Sequence, residues 1–356
     1  MASTRTITKS SRNVYIATSP RPHLSSDRPS GIVYFWATLG IGIIALLINN
    51  VVRWSLSDDF VRSDPGPDPY PYLFILRGTE ALSCAIFVLL GTHTLILPWL
   101  RTGAPSLDGK LFLGGVSAST LDILFAVFQP TWAMNAHGLA YGSWARSIPL
   151  FPGPGAHKVP WGLLWCLPAY IWLGVGAAIF GCALLDALHR AFPRLSTMAA
   201  YAVVQAAYYA IFAALATFWN RHQVYTYVSA PRALTAWHGQ VHQLPLYEPF
   251  LIGLYCWGYT WLRRSRDAAG RCAVDREVDG LQIGGFGREV LSALAVCGWA
   301  AVVTVVAYMI PFSWLSMLGD GHPVLPSFLQ QGIWCGQPGG PLCPGQMLAV
   351  MREKVV

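Results

Sequence analysis

Six ionisable side chains lie within or at the ends of long apolar runs: Arg77, Glu80, His93, Asp122, Asp186 and Glu248. A charge at such a position is costly, which makes each a functional candidate by default. Carboxyls held in pairs can perform acid and base chemistry, one giving a proton while the other takes one or steadies a cation. Asp122 has no cation near it in sequence and needs a partner in space, so it is the first choice for a general acid. Glu80 follows Arg77 at i, i+3, a spacing at which the two can pair on one helix face. Glu248 stands near a helix start, where a carboxylate suits the helix dipole. Asp186 neighbours His189 and Arg190 at the end of its run, where exposed ion pairs carry little energy.

The other reactive residue types point to less. His93 is alone within its run, whereas His137, His157, His222, His238 and His242 fall between runs. His238 and His242 are spaced i, i+4, which on a helix can hold a metal. No Glu lies between them and Pro245 follows, so the zinc-protease pattern is missing. Proton transfer or loop hydrogen bonding suits these histidines better, and no metal site is expected. No cysteine pair has the C-x-x-C spacing, although Cys335 and Cys343 are near enough to form a disulfide. A retinal protein needs a lysine within a helix, and Lys9, Lys110, Lys158 and Lys354 all lie outside the apolar runs. A bis-histidine haem protein needs paired histidines within runs, and only His93 qualifies. Gly284-Gly285-Phe286-Gly287 has no strand before it, so it does not read as a nucleotide-binding loop. No cofactor is expected.

The elements that must position these groups follow from composition. Of 356 residues, 54% are apolar and 12% charged, against roughly 25% charged in a soluble domain. That excludes a disordered chain, and eight cysteines are too sparse for a small disulfide scaffold. Fifteen Trp, 15 Tyr and 16 Phe suit long membrane interfaces. The expected class is all-α: a polytopic helical membrane protein of about seven transmembrane helices with long ordered outer loops. The apolar segments are Ile32–Val52, Tyr72–Leu100, Leu111–Phe128, Trp161–Leu185, Thr197–Trp219, Leu246–Leu262 and Val290–Ile310. Each is near the roughly 20 residues that cross a bilayer. Residues 1–30 read as a disordered tail without a cleavable signal peptide, and 31–356 as one transmembrane domain.

The net charge of +7 sits in connections and is a topology signal, with no nucleic-acid partner implied. With the N-terminus inside, the inner side holds 15 of the 24 Lys and Arg. Five are in the tail, followed by Arg101 and Lys110, Arg190 and Arg194, and six arginines between Arg263 and Arg288. The count favours a multi-pass protein with its N-terminus cytoplasmic and its C-terminus outside. The outer connections 129–160, 220–245 and 311–347 are long and rich in Trp, His, Tyr, Gly and Pro. At about 1.5 Å rise per residue, Glu80, Asp122 and Glu248 share one depth in the outer part of three helices, beneath those loops.

Several stretches then occur in a telling order. Gln129-Pro130, Trp132, Asn135, Gly142-Ser143-Trp144 and Ile148-Pro149 come first. A charged loop from Arg263 to Gly280 follows, then Tyr308-Met309-Ile310-Pro311 and Leu325-Pro326-Ser327-Phe328. Cys335-Gly336 and Cys343-Pro344 end the series. In this order, on a chain of seven apolar segments, they resemble the AveC-like spirocyclase family of actinobacteria, from the second helix to Pro344. The resemblance implies an enzyme of the bacterial cell membrane that tailors polyketides. Such an enzyme closes an apolar dihydroxy-ketone macrolide into a 6,6-spiroketal of one stereochemistry and can then dehydrate the ring.

The resemblance carries no residue roles, so these are assigned on chemistry. Asp122 is the acid, and Glu80 or Glu248 stabilises the oxocarbenium ion and takes the second hydroxyl's proton. Asn135, His137, Tyr141 and His222 orient substrate oxygens, while Trp132 and Trp144 bound the substrate and shield the cation. The lipid bilayer is the other expected partner. A transporter or receptor for an apolar ligand is the alternative and would use the same carboxylates. The internal repeats typical of transporters are not evident.

Overall fold

A computed structural model describes residues 31–124, 131–149, 159–319 and 323–330, and among these the chain is mostly helical. The tail over 1–30, Gln129-Pro130, His157, Cys335 and Cys343 lie outside the described residues. Each apolar segment carries a helix: α1 Ile32–Ser55, α2 Leu73–Thr102, α3 Leu107–Ala118, α4 Cys166–Ala191, α5 Thr197–Arg221, α6 Glu248–Arg264 and α7 Gly285–Met317. Five of them, all but α3 and α6, are long and apolar enough to cross a membrane. The two short helices have 12 and 17 residues.

The short helices occupy the middle of the bundle. α3 packs against α2, α4 and α7, and α6 against α4, α5 and α7. Most of their residues are buried, whereas α1, α2 and α5 bury only a stripe. Helix ends that meet protein need not reach the bilayer surface, because other parts of the chain can satisfy their backbone groups. Close packing is helped by small residues, as is common between membrane helices. A Cβ at Gly40 of α1 would collide with the Leu294 carbonyl of α7, and one at Gly298 with the Trp36 carbonyl of α1.

α3 begins at Leu107 rather than at the expected Leu111. Ser106 caps it, its Oγ accepting the Gly109 N–H at 3.0 Å. Asp108 and Lys110 therefore sit in the first turn of a helix, not in a loop, and both are paired across the fold. Arg263 donates to both Asp108 oxygens, at 2.8 and 3.0 Å. Lys110 is buried, donates to Ser292 Oγ at 2.6 Å and lies 2.7 Å from Glu289. Ser292 in turn donates to the buried Asp275. Lys110→Met removes one of the two cations beside Glu289 and Asp275 and leaves Arg271, 2.8 Å from Glu289 and 3.8 Å from Asp275, so we expect it to destabilise the fold by about 1–3 kcal/mol. Asp186, whose partner Arg264 is also about half exposed, is the control: Asp186→Asn should cost less than about 1 kcal/mol. Denaturant unfolding of the two variants checks both values.

Three helices contain a π-turn: Gly91–Ile96 in α2, Trp172–Gly176 in α4 and Thr304–Met309 in α7. Such turns often mark functional positions.

The α3–α4 and α5–α6 connections meet over one end of the bundle. β1 Trp132–Met134 pairs antiparallel with β2 Tyr225–Tyr227, Trp132 opposite Tyr227. β3 Thr235–Ala236 and β4 Leu244–Pro245 form a second small ribbon. His238 and His242 lie in the turn between β3 and β4, so the helical spacing considered for metal binding does not exist. A short helix, α8 Ser327–Gln330, completes the cap, with the Phe328 carbonyl accepting the Ala136 N–H at 2.8 Å.

Candidate active site

Asp122 follows α3 directly, after the 3-10 turn Ser119–Leu121. That turn is held from two sides. Asn50 of α1, fully buried, donates to Thr120 Oγ1 at 3.0 Å. The Trp144 indole donates to the Thr120 carbonyl at 2.9 Å. Asp122 is 1% exposed, and the Tyr170 hydroxyl of α4 donates to its Oδ1 at 2.5 Å. Tyr170 is fixed through its own carbonyl, which accepts the Tyr255 hydroxyl of α6 at 3.2 Å. Glu248 is the first residue of α6, with Pro249 next, and is fully buried. Neither of its oxygens has a hydrogen-bond partner among the described residues.

Both carboxyls line one cavity at the capped end of the bundle. The rest of its wall is apolar or aromatic. Trp165, Tyr170 and Trp172 come from α4 or the residue before it, and Phe212 and Trp219 from α5. Tyr255 comes from α6 and Tyr308 from the π-turn of α7, while Trp132 and Tyr225 come from the β1–β2 ribbon. Among the described residues, no Lys, Arg or His lines the cavity and no cation pairs with Asp122 or Glu248. The site is therefore two acids set in a cage of ring faces.

Of the residues singled out in the sequence, Asp122, Glu248 and Trp132 meet at this cavity. Asn135, His137, Tyr141, Trp144 and His222 sit in or beside the cap, and Glu80 of α2 is bonded to it. Glu80 does not line the cavity, and both of its oxygens are engaged. Arg77 donates to Oε2 at 2.5 Å, and the Leu139 N–H donates to Oε1 at 2.6 Å. Asn135 ties two connections, donating to the Gln223 carbonyl at 2.8 Å and accepting the His137 N–H at 2.9 Å. The His137 ring stacks on Tyr70 at 5.2 Å. Burial, with Arg77 and Arg62 nearby, holds this imidazole below the usual histidine range. Tyr141 stacks on Phe60 at 4.9 Å. His222 places Nδ1 2.8 Å from the Phe218 carbonyl, and its own carbonyl accepts the Tyr70 hydroxyl at 2.9 Å. Trp144 acts on Asp122 through the turn it holds, not as a wall.

Glu80→Gln should therefore act on stability. It removes the charge opposite Arg77 at a 3% exposed position, and leaving such a group imperfectly paired costs about 1–3 kcal/mol. Thermal unfolding measured beside activity would show a lowered transition, with activity retained below it.

Tyr170, Trp165, Trp172, Trp219, Tyr255 and Tyr308 are the site residues that sequence reasoning missed. Tyr308 stands in one of the stretches that carry the family resemblance. The tryptophans near the ends of α4 and α5 read as interfacial residues, and nothing local separates the two roles.

Taken together, the fold and the site define a helical protein with an enclosed, aromatic-walled acid cavity under a two-loop cap. A family model described as Spirocyclase AveC-like matches residues 105–330. The match covers more than half of the chain, and the chain belongs to the AveC-like spirocyclase family. No curated protein and no solved structure matches it.

Proposed function

We propose that the protein is a multi-pass enzyme of the bacterial cell membrane that closes an apolar dihydroxy-ketone, of the polyketide macrolide class, into a 6,6-spiroketal of one stereochemistry. The observation that carries this reading is the pair of buried carboxyls, Asp122 and Glu248, facing one aromatic cavity with no cation paired to either among the described residues.

The chemistry asks for that inventory. One substrate hydroxyl adds to the ketone and gives a hemiketal. Asp122 then protonates the hemiketal oxygen, which leaves as water. Tyr170, hydrogen-bonded to Oδ1, leaves Oδ2 to carry the transferable proton. The oxocarbenium ion is met by the Glu248 carboxylate and by the ring faces of the wall. Glu248 occupies the first position of α6, where the helix dipole favours negative charge. The second hydroxyl attacks one face of the cation, and Glu248 accepts its proton. The cavity fixes that face by holding the chain in place. Its apolar wall keeps bulk water from the cation.

Dehydration of a ring hydroxyl also needs a proton donor and an acceptor; once the proton gained by Glu248 has returned to Asp122 the same pair supplies both, so a second loss of water at this site belongs to the reading. All seven helices lie in the membrane in this account, with α3 and α6 sheathed by the other five and the cap outside. Membranes with and without the protein, given a dihydroxy-ketone precursor, test it. A single chiral product lighter by one water supports spirocyclisation, and one lighter by two waters adds dehydration. An identical slow mixture of isomers from both membranes would sink the reading and bring forward binding or transport of an apolar ligand.

Tyr170→Phe removes the hydroxyl that orients Asp122. We expect kcat to fall about tenfold, the scale of one lost hydrogen bond to a charged group. KM should hold and the pH–rate profile should move. A change confined to thermal stability would assign Tyr170 a structural role only.

A further inference from the structure

Trp132 of β1 and Tyr225 of β2 line the cavity at its capped end. A second space lies between α2 and α5. Among the described residues, no ionisable side chain lines it. Its rim residues Phe74, Leu82 and Phe218 are 86%, 63% and 44% exposed, so it opens on the side of the bundle where lipid would lie. Trp165, Trp172 and Trp219 line both this groove and the acid cavity, so a single layer of indoles separates the two.

That layer has two features of its own. Trp172 sits in the π-turn of α4, and its indole donates to Ser83 Oγ of α2 at 2.9 Å. Trp165 is 7% exposed, and its indole N–H has no acceptor among the described residues. A buried indole N–H ordinarily finds one. The free donor points to an oxygen brought by a ligand.

We propose that the groove is a second substrate subsite, which rests on the function proposed above. It holds the lipid-like body of the dihydroxy-ketone, while the oxygenated end passes the indole layer to reach Asp122 and Glu248. The shared wall and the Trp165 donor favour an oxygenated apolar substrate over a plain acyl chain as the occupant. Access from within the bilayer also lets a product of the cytoplasm reach a cavity in the outer part of the helices without crossing to the far side.

Gly78 supplies the test. It lines the groove, and a Cβ built on it meets nothing within 4 Å, so the backbone there accepts a side chain and Gly78→Leu puts one into the groove. Membranes carrying the wild type or this variant are given two probes: a bare dihydroxy-nonanone, and the same core extended by a dodecyl chain. The ratio of kcat/KM for the long probe to that for the short one should fall about tenfold in Gly78→Leu, equivalent to about two methylenes of lost burial, with most of the change in KM. Leu82→Trp, which fills the same groove from an exposed position, should lower the ratio in the same way. If the wild type turns over both probes and neither variant changes the ratio, the groove holds only lipid and the subsite proposal fails while the enzymatic reading stands. If the wild type turns over neither probe, the enzymatic reading fails and the subsite falls with it.

Discussion

Asp122→Asn is expected to lower spiroketal formation by about two to four orders of magnitude, the usual contribution of a positioned general acid. The amide keeps the shape of the carboxyl and can still accept the Tyr170 hydroxyl. The fold and the cavity should therefore survive, and substrate binding with them. The loss should fall on kcat, because only the transition state receives the proton. A catalysed rate within a fewfold of wild type would remove Asp122 from the chemistry. A transporter that used Asp122 for proton coupling would show another pattern: uptake lost, with no product formed by either form.

Glu248→Gln is expected to cost about a hundred- to a thousandfold, the scale of removing one preorganised group aimed at a developing charge. Its second consequence is more specific. If Glu248 steadies one face of the oxocarbenium ion and takes the attacking hydroxyl's proton, its loss should also erode the stereochemistry of whatever product still forms. Chiral separation of the residual product checks this. Low turnover with undiminished stereochemical purity would assign face selection to the aromatic wall alone and leave Glu248 only the proton transfer.

Some of this was legible in the sequence, for identifiable reasons. Long apolar runs mark helices wherever they fall, and a helix appears at each of the seven. Helix rise and chain direction lead to one expected depth for Glu80, Asp122 and Glu248; Asp122 and Glu248 do line one cavity, and Glu80 does not. α3 was misplaced because Asp108 and Lys110 look like loop charges; Ser106, the local cap, starts the helix ahead of them, and Arg263, Ser292 and Glu289, more than 150 residues away, pair the charges. Glu80 satisfied every local criterion for a catalytic carboxylate. What removes it from the cavity is an N–H donated by Leu139, 59 residues on. The cap residues Asn135, His137, Tyr141 and His222 have side chains suited to substrate oxygens, yet contacts within the cap engage them: Asn135 reaches the Gln223 carbonyl, His137 and Tyr141 stack on Tyr70 and Phe60 between α1 and α2, and the His222 ring lies against the Phe218 carbonyl. The Trp144 indole bonds the Thr120 carbonyl, 24 residues back, and the ring does not line the cavity. The wall of Trp165, Trp172 and Trp219 exists only through packing of α2, α4 and α5, which no spacing in the chain encodes.

The most direct measurement takes membranes bearing the wild type, the double variant Asp122→Asn/Glu248→Gln, or no protein, and follows a dihydroxy-ketone substrate by mass and chiral retention. The account predicts one stereoisomer, lighter by one or two waters, from the wild type. It predicts from the double variant the same slow mixture that protein-free membranes give, with substrate still bound. A single stereoisomer formed by the double variant at the wild-type rate would contradict it.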